Sequence, residues 1–429
     1  MRIAFYTLGC KVNQYETEVL SQLFAADGYD IVAPDETADV YVINSCTVTA
    51  TGDKKTRQML RHFKSQNPAA KVALTGCFPQ AFPDAAERLP EADIIMGARG
   101  RAELVKVVSR CLAADERIID IRPHEKGESF EKMTAAGFAE RTRAFVKIED
   151  GCERYCSYCI IPTARGPVRS KPMDELSEEL RGLAASGYQE VVLVGINLSC
   201  YGKELGLRLI DAVELACRTK GIRRVRLGSL EPELLTDEDI ERMAALPQMC
   251  PQFHLSLQSG CDETLKRMNR HYDTAEYTRI AESLRRHFEN CAITTDIMVG
   301  FPGEDEAEFS RSLAFTEKTA FAKVHVFAYS QRPGTRAAAL PQQVPKAEKA
   351  SRSARMIGLT ERTRADFLQK QVGLAMSVLF ESHVTDGIYE GYSENYTPVH
   401  VCSGEDLRGA IRLVQISGAE SDFCTGILA

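Results

Sequence analysis

Long apolar runs are missing from this chain of 429 residues. No window approaches the ~18 consecutive apolar residues that a membrane-crossing helix needs, which excludes such a span. The N-terminus, M-R-I-A-F-Y-T-L-G-C, lacks the apolar h-region and cleavage site of a secretory signal and reads as a first strand. Positive charge is also short. Lys and Arg number 53 against 60 Asp and Glu, a net charge of −7. Bulk attraction to nucleic acid is excluded, and any RNA contact has to come from local basic surface and shape. Without an export signal, the 14 cysteines argue for reduced thiols or metal ligands in the cytoplasm, not for a disulfide framework. The composition, 44% hydrophobic and 26% charged, is that of a globular protein long enough for two or three domains.

What the chain does have is one dense stretch, Ile148 to Lys171, with Cys152, Cys156 and Cys159 in a C-x3-C-x2-C spacing. Closely spaced cysteines are most often a zinc site, but a structural zinc wants four ligands, commonly in C-x2-C pairs. This stretch offers neither a fourth cysteine nor a histidine, and the next cysteine, Cys200, is too distant for the same loop. Three thiolates on one loop can hold three irons of a cubane [4Fe-4S] cluster and leave the fourth open. The spacing resembles the signature of the radical S-adenosylmethionine (SAM) enzymes, and Tyr158 matches their C-x3-C-x-aromatic-C form. The resemblance implies that the open iron chelates the amino and carboxylate groups of SAM, which is then cleaved to a 5′-deoxyadenosyl radical.

Upstream, Arg2–Thr7, Val40–Asn44 and Lys71–Thr75 read as short β-branched strands, with helices over Tyr15–Ala26 and Lys54–Ser65 between them. That order predicts a parallel sheet over residues 1–125. Each strand runs into a cysteine: L-G-C at Cys10, N-S-C at Cys46 and T-G-C at Cys77. Any one alone reads as a small buried hydrophobe. Repeated three times at the carboxyl edge of a parallel sheet, where ligands gather, the pattern points to a shared site for a second cluster.

The stretches T-L-G-C-K-V-N-Q-Y-E-T-E, I-N-S-C-T-V-T and A-L-T-G-C-F-P-Q are similar to the N-terminal domain of the methylthiotransferases, and the central cysteine stretch resembles that family's radical-SAM motif. The resemblance covers nearly the whole chain. It implies two [4Fe-4S] clusters, the auxiliary one on Cys10, Cys46 and Cys77. The K-V-N-Q-Y-E-T-E variant most resembles the branch acting on N6-threonylcarbamoyladenosine (t6A), the nucleoside 3′ of the anticodon in tRNA. The isopentenyladenosine branch tends to carry G-C-Q-M-N, and the ribosomal-protein branch G-C-P-K-N.

Residues 126–140 are polar and aperiodic and read as a linker without chemistry. Over 140–365, strands at Ala144–Glu149, Glu190–Gly195, Arg223–Gly228, Gln252–Gln258, Ala292–Val299 and Lys323–Tyr329 alternate with helices at Met173–Ser186, Gly206–Lys220, Thr236–Ala245, Asp273–Phe288 and Glu306–Thr319. This alternation predicts a parallel sheet curled into a barrel or part of one, with the cysteine loop at its carboxyl mouth; six units agree with the open partial (β/α)6 barrel that the resemblance to radical-SAM enzymes implies. Strand ends carry glycine, hydroxyl and carboxamide residues. Glycine admits close backbone approach and carboxamides can bind an adenine or ribose edge; the resemblance places SAM across these strand ends and so implies Gly195, Asn197, Ser229, Gln258 and Gly300 as its contacts, turn formation being the plainer alternative. G-F-P-G-E at Gly300–Glu304 lacks the lysine of a phosphate loop. Asp296 reads equally as a SAM contact or a structural ion pair. Arg165, Arg169 and Lys171, just past the cysteine loop, are either solvated or placed for the phosphates of a nucleotide. Gln331–Thr335 is expected at the same mouth. The other cysteines read as free thiols, and His254 and His325 as packed or hydrogen-bonded.

Lys346–Lys370 reads as a basic helix able to meet RNA backbone. Residues 370–429 resemble the small RNA-binding β-barrel, the TRAM domain, that ends this family. Here the module is acidic, with three Lys/Arg against eight Asp/Glu from Lys370 onward. Phosphate attraction is therefore weak, and Tyr389, Tyr392 and Tyr396 are left to stack on bases. The fold class expected is α/β, with the small β-barrel at the end. The resemblance implies a cytoplasmic enzyme that converts t6A in tRNA to its 2-methylthio derivative with two clusters, SAM and an electron donor such as flavodoxin or ferredoxin. Two alternatives stand beside it: the same chemistry on an aspartate of a ribosomal protein, and a non-catalytic iron–sulfur RNA-binding protein.

Overall fold

The computed structural model describes residues 1–138, 141–385 and 387–429. Strands β1 (Arg2–Thr7), β2 (Asp30–Val32), β3 (Val40–Ser45), β4 (Lys71–Gly76), β5 (Ile94–Met96) and β6 (Ile118–Asp120) form one parallel sheet in the order β2-β1-β3-β4-β5-β6. Helices α1 (Lys11–Ala26), α2 (Ala50–Gln66), α3 (Cys77–Ala81), α4 (Pro83–Glu87) and α5 (Leu104–Ala114) lie in the connections. The central strand β3, V-Y-V-I-N-S, is buried throughout. Its Val40 and Val42 enter one core and its Tyr41 and Ile43 another, because successive strand side chains point to opposite faces. Register sets Thr7 beside Asn44 and Ser45 beside Gly76. The three strands therefore finish level, and the cysteine after each falls on one edge. Strands β2, β5 and β6, three residues each, were too short for a periodic signal.

Past the sheet, β7 (Ala144–Lys147), β10 (Glu190–Val194) and β11 (Arg224–Leu227) pair in parallel. After a break at Gly228 the arc continues through β12 (Ser229–Leu230), β13 (Gln252–Leu255), β14 (Ala292–Val299) and β15 (Lys323–Ala328). With β11 and β12 counted as one interrupted stave, this is the six-stave parallel arc of a partial barrel. Its edges, β7 and β15, do not pair with each other among the described residues. Strands β8 (Glu149–Asp150) and β9 (Arg169–Ser170) pair antiparallel and pinch the base of the cysteine loop, which carries α6 (Ile161–Arg165). Outside the arc lie α7 (Met173–Ala185), α8 (Leu209–Arg218), α9 (Asp237–Ala244), α10 (Asp262–Arg267), α11 (Thr274–His287) and α12 (Glu306–Thr319). Leu176, Leu180 and Leu183 bury one face of α7, the three-and-four spacing of a helix against a sheet.

Several boundaries differ from expectation for local reasons. The helix expected from Tyr15 starts at Lys11, directly after Cys10, and the one expected from Lys54 starts at Ala50, where Thr49 caps it by accepting from Gly52 N at 3.2 Å. The strand expected over Gln252–Gln258 stops at Leu255, and Gln258, at φ +67°, donates its N–H to Asp296 O at 2.8 Å. The expected linker is no passive crossing. Met133, Ala135 and Phe138 are buried, Tyr15 Oη donates to Met133 O at 2.6 Å, and Ala135 N donates to Glu179 Oε1 at 3.1 Å. This segment is mortar between α1 and α7. Residues 139 and 140, its expected end, lie outside the described residues.

The long helix α13 (Lys346–Gln369) leads into a closed barrel, β16 (Ala375–Thr385), β17 (Ile388–Ser393), β18 (Pro398–Cys402), β19 (Ile411–Ala419) and β20 (Cys424–Leu428), in the order β16-β17-β18-β20-β19. Val378, Phe380, Val399, Val401, Val414 and Ile416 fill it. Not all of the helix's basic face is free for RNA: Arg352 pairs with Glu304 and Glu348, and Arg364 donates to the carbonyls of Ala322 and Asp422. The C-terminal barrel docks through β11. Arg226 donates to Ser393 O and Glu394 O at 2.7 Å each, and Arg224 to Tyr392 O at 3.2 Å. Buried Glu190 pairs with both, at 2.7 Å from Arg226 and 3.4 Å from Arg224. Removing one partner of a buried ion pair leaves an uncompensated charge. Glu190→Ala is expected to cost about 3–5 kcal/mol, read as a lower urea midpoint and earlier proteolytic release of residues 370–429.

Candidate functional site

The cysteine loop owes its shape to Gly151 and the β8–β9 pair. Gly151 has φ +93°, and a Cβ there would stand 1.9 Å from Pro167 O, so the residue before Cys152 has to be glycine. Each thiol of the loop meets a donor. Arg270 Nη1 points at Cys156 Sγ at 3.2 Å, Ile161 N at Cys159 Sγ at 3.4 Å, and Asn197 Nδ2 at Cys152 Sγ at 3.8 Å. Glu231, at a strand end, anchors Arg270. Burial, with neighbouring Cys156, pushes the Cys159 thiol up to about 12, and burial also raises Cys152.

The other three cysteines converge as the level strand ends require. Cys10 is the N-cap of α1, Cys46 follows β3 and Cys77 opens α3. Cys46 is within electrostatic reach of both Cys77 and Cys10; burial first, then Cys77, pushes its thiol up to about 12. Cys77, 3% exposed, receives Arg165 Nε at 3.2 Å. Among the described residues, no three or more His, Cys, Asp or Glu side chains converge tightly enough for a single metal ion. Donors aimed at buried sulfurs fit thiolates, and a cluster supplies the positive charge that keeps buried thiols deprotonated.

Arg165, Arg169 and Lys171 are not a phosphate-binding surface, contrary to expectation. Their side chains are 0%, 7% and 0% exposed. Arg165 reaches Glu16 at 2.6 Å, Asp150 at 3.4 Å and Asn13 Oδ1 at 2.5 Å; Arg169 pairs with Glu128 and Asp150; Lys171 pairs with Glu179. Arg101 and Lys147 complete the group on Glu16 and Asp150. Burial raises the Glu16 carboxyl, but Arg101, Arg165 and Lys147 overcome it and hold the group well below the usual carboxylate range. Arg101, Lys147 and Arg165 against two carboxylates leave this group one negative charge short, and Arg165 turns its remaining N–H to Cys77. The K-V-N-Q-Y-E motif is explained by this. Asn13, Tyr15 and Glu16 lie buried on α1, and Asn13 Nδ2 also ties Leu8 O to Ser45 O at 2.8 and 3.0 Å.

A cavity of about 560 Å³ runs between the N-terminal sheet, the arc and the C-terminal barrel. Cys10 and Lys11 line it with Gly195, Ser229 and Asp296, and Tyr392 and Tyr396 enter from the other side. The expected SAM contacts each have their own surroundings. Gly195 is required because a Cβ would sit 2.6 Å from Glu149 Oε2, and Asn197 N donates to that same oxygen at 2.7 Å. Burial pushes the Glu149 carboxyl well up. Asn197 Oδ1 is buried without a partner, an acceptor left for a ligand. Gly300 turns over Lys349, 2.2 Å from where a Cβ would be, and its N–H meets Glu304. Tyr158 packs edge-on to Phe301 at 6.4 Å. Asp296 lies 3.5 Å from His254 Nε2, and His254 Nδ1 is 3.0 Å from Thr294 Oγ1. In Gln331–Thr335, Arg332 clamps the arc to the N-terminal sheet through Thr47 and Asp53, both at 2.7 Å. Tyr392 and Tyr396 stack at 4.7 Å, with Arg143 over both rings; Tyr389 is outside the cavity, beside His383.

Lys11, Arg143, Arg226, Arg270, Glu16 and Glu149 escaped the sequence reading. Only Glu16 had a signal, as an acid on the apolar face of a helix.

Two family models match the chain: Uncharacterized protein family UPF0004 over residues 2–97 and the Radical SAM superfamily over 146–316. Among solved structures, the radical S-adenosylmethionine methyltransferase TsrM from Kitasatospora setae superposes with a TM-score of 0.58 at 12% identity, over 79% of this chain and 77% of that one. The fold is that of a radical-SAM protein. The threonylcarbamoyladenosine tRNA methylthiotransferase MtaB of Thermotoga maritima is 37% identical over 91% of this chain and 89% of its own, and that of Bacillus subtilis 36% over 99% and 95%. The tRNA-2-methylthio-N(6)-dimethylallyladenosine synthase of Pelotomaculum thermopropionicum is 33% identical over 98% and 96%. The chain belongs to the radical-SAM methylthiotransferase family.

Exposure ranks the N-terminal thiols. In the iron-free chain, Cys10, which is exposed, is expected to be alkylated before buried Cys77, as time-resolved peptide mass spectrometry would register.

Proposed function

We propose that this chain methylthiolates C2 of t6A in tRNA, with Cys152, Cys156 and Cys159 holding one [4Fe-4S] cluster and Cys10, Cys46 and Cys77 the other. The observation that carries the reading is that Cys10 and the barrel strand-end residues Gly195 and Ser229 line one cavity. The C2 hydrogen of adenine is not acidic enough for base chemistry, so the clusters and SAM supply a reducing electron, a radical source and a site for the incoming sulfur.

The protein's own part is placement and shelter. Arg270 and Asn197 orient the loop thiolates, and Arg165 orients Cys77. Phe145, Val192, Val194 and Leu227 make the cavity walls apolar, which limits side reactions with water. Facing Cys10 and the barrel's strand-end residues into one cavity eases the proximity problem for a short-lived radical. An electron donor of the flavodoxin or ferredoxin class and a cytoplasmic setting complete the reading; no helix among the described residues is long and apolar enough to cross a membrane.

Cys156→Ala is expected to abolish SAM cleavage. Cys46→Ala should retain some cleavage and lose methylthiolation, and full product from it would remove Cys46 from the auxiliary site. The substrate is tested by nucleoside mass spectrometry of bulk tRNA from a host lacking its own enzyme, with and without this chain. A gain of 2-methylthio-t6A supports the proposal. A mark on a ribosomal protein instead moves the substrate, and no SAM cleavage at all makes the chain a non-catalytic iron–sulfur protein.

A further inference from the structure

The central cavity carries more positive charge than its walls neutralise. Lys11 and Lys323 both line it, and neither makes a hydrogen bond or an ion pair with a carboxylate among the described residues. Their cationic neighbours are already committed. Arg143 pairs with Glu381 and Glu190, Arg226 with Glu190, and Asp296, the only carboxylate in the lining among the described residues, lies against His254. Lys11 is exposed and opens into the cavity, with Arg143 and Arg226 close enough to repel it. An ammonium facing a cavity among like charges, without an acid of its own, is a place for an anion.

The position of Lys11 narrows the anion. It follows Cys10 directly, so a group bound to it stands beside the auxiliary site. The N6 substituent of t6A ends in a carboxylate, whereas a dimethylallyl group is an uncharged hydrocarbon. Resting on the functional reading above, we infer that Lys11, with Lys323 across the cavity, binds the carboxylate of the threonylcarbamoyl group and so selects t6A over adenosines with neutral N6 substituents. Lys11 is a specificity residue, and the dimethylallyl substituent leaves its charge desolvated and unpaired.

The test measures binding of the reconstituted full chain, without SAM, to fluorescent anticodon stem-loop RNAs. These carry t6A, t6A methyl ester, N6-dimethylallyladenosine or unmodified adenosine. Wild type should bind the t6A RNA about 10- to 100-fold tighter than the ester RNA, the size of one charge-assisted hydrogen bond. Lys11→Gln should erase that ratio while leaving ester binding unchanged, and Lys11→Arg should restore most of it. Lys323→Gln should reduce the ratio, and it stays informative should Lys11→Gln fail to load iron. A ratio unchanged in both glutamine variants, or a wild type blind to esterification, overturns the inference and leaves the t6A reading standing. A wild type that neither prefers t6A over unmodified adenosine nor methylthiolates it overturns both.

Discussion

The arrangement depends on one buried carboxylate. Glu16, on the first helix, takes Arg101 from its own domain and Lys147 and Arg165 from the barrel. A charge with no exposure is tolerable only while such partners stay. The interaction therefore does more than hold two domains together. It fixes the angle at which α6 meets the N-terminal sheet, and so where Arg165 presents its last N–H to Cys77. An apolar seam would bury the same area with more freedom to slide. Ion pairs with directional hydrogen bonds permit one register, which holds Cys10 and the barrel's strand ends on the same cavity.

Desolvation sets the chemistry of both triads in the same way. Apart from exposed Cys10, the sulfurs are at least partly shielded from water, and those of Cys77 and the barrel loop are met by N–H donors from arginine, asparagine and backbone. Hydrogen bonds to sulfur and exposure to solvent are two of the means by which a protein sets the potential of an iron–sulfur centre. The two triads differ in both. Cys156 is served by an arginine that Glu231 neutralises, whereas Cys77 is served by an arginine in a group with surplus positive charge. The local fields at the two sites are unequal by construction.

The sequence made some of this legible and hid the rest for physical reasons. Strand-then-cysteine, three times over, was readable because a parallel sheet ends its strands on one edge, and β1, β3 and β4 do finish level. The six staves were readable from alternation alone. Arg165, Arg169 and Lys171 misled because charge in a sequence carries no sign of its partner. Glu16 and Glu128, which pair with the two arginines, come from distant parts of the chain, and Glu179, eight residues past Lys171, meets it only once the next helix has formed. The linker misled in the same way: polarity signalled exposure, while its backbone was occupied by Tyr15 and Glu179. Lys11 was hidden by being one residue from Cys10, since a cavity with walls from three domains leaves no pattern in any one segment.

The two triads also differ in how far the chain must travel to build them. Cys152, Cys156 and Cys159 belong to one loop pinched by a two-residue ladder, so closing it costs little chain entropy. Cys10, Cys46 and Cys77 meet only after three strands and their crossovers have assembled. During synthesis and iron delivery the barrel loop has its thiols side by side from the start, while the N-terminal trio exists only as a product of tertiary folding. Metal occupancy of the N-terminal trio is in this sense a report that the first domain is correctly built, and occupancy of the loop carries no such report.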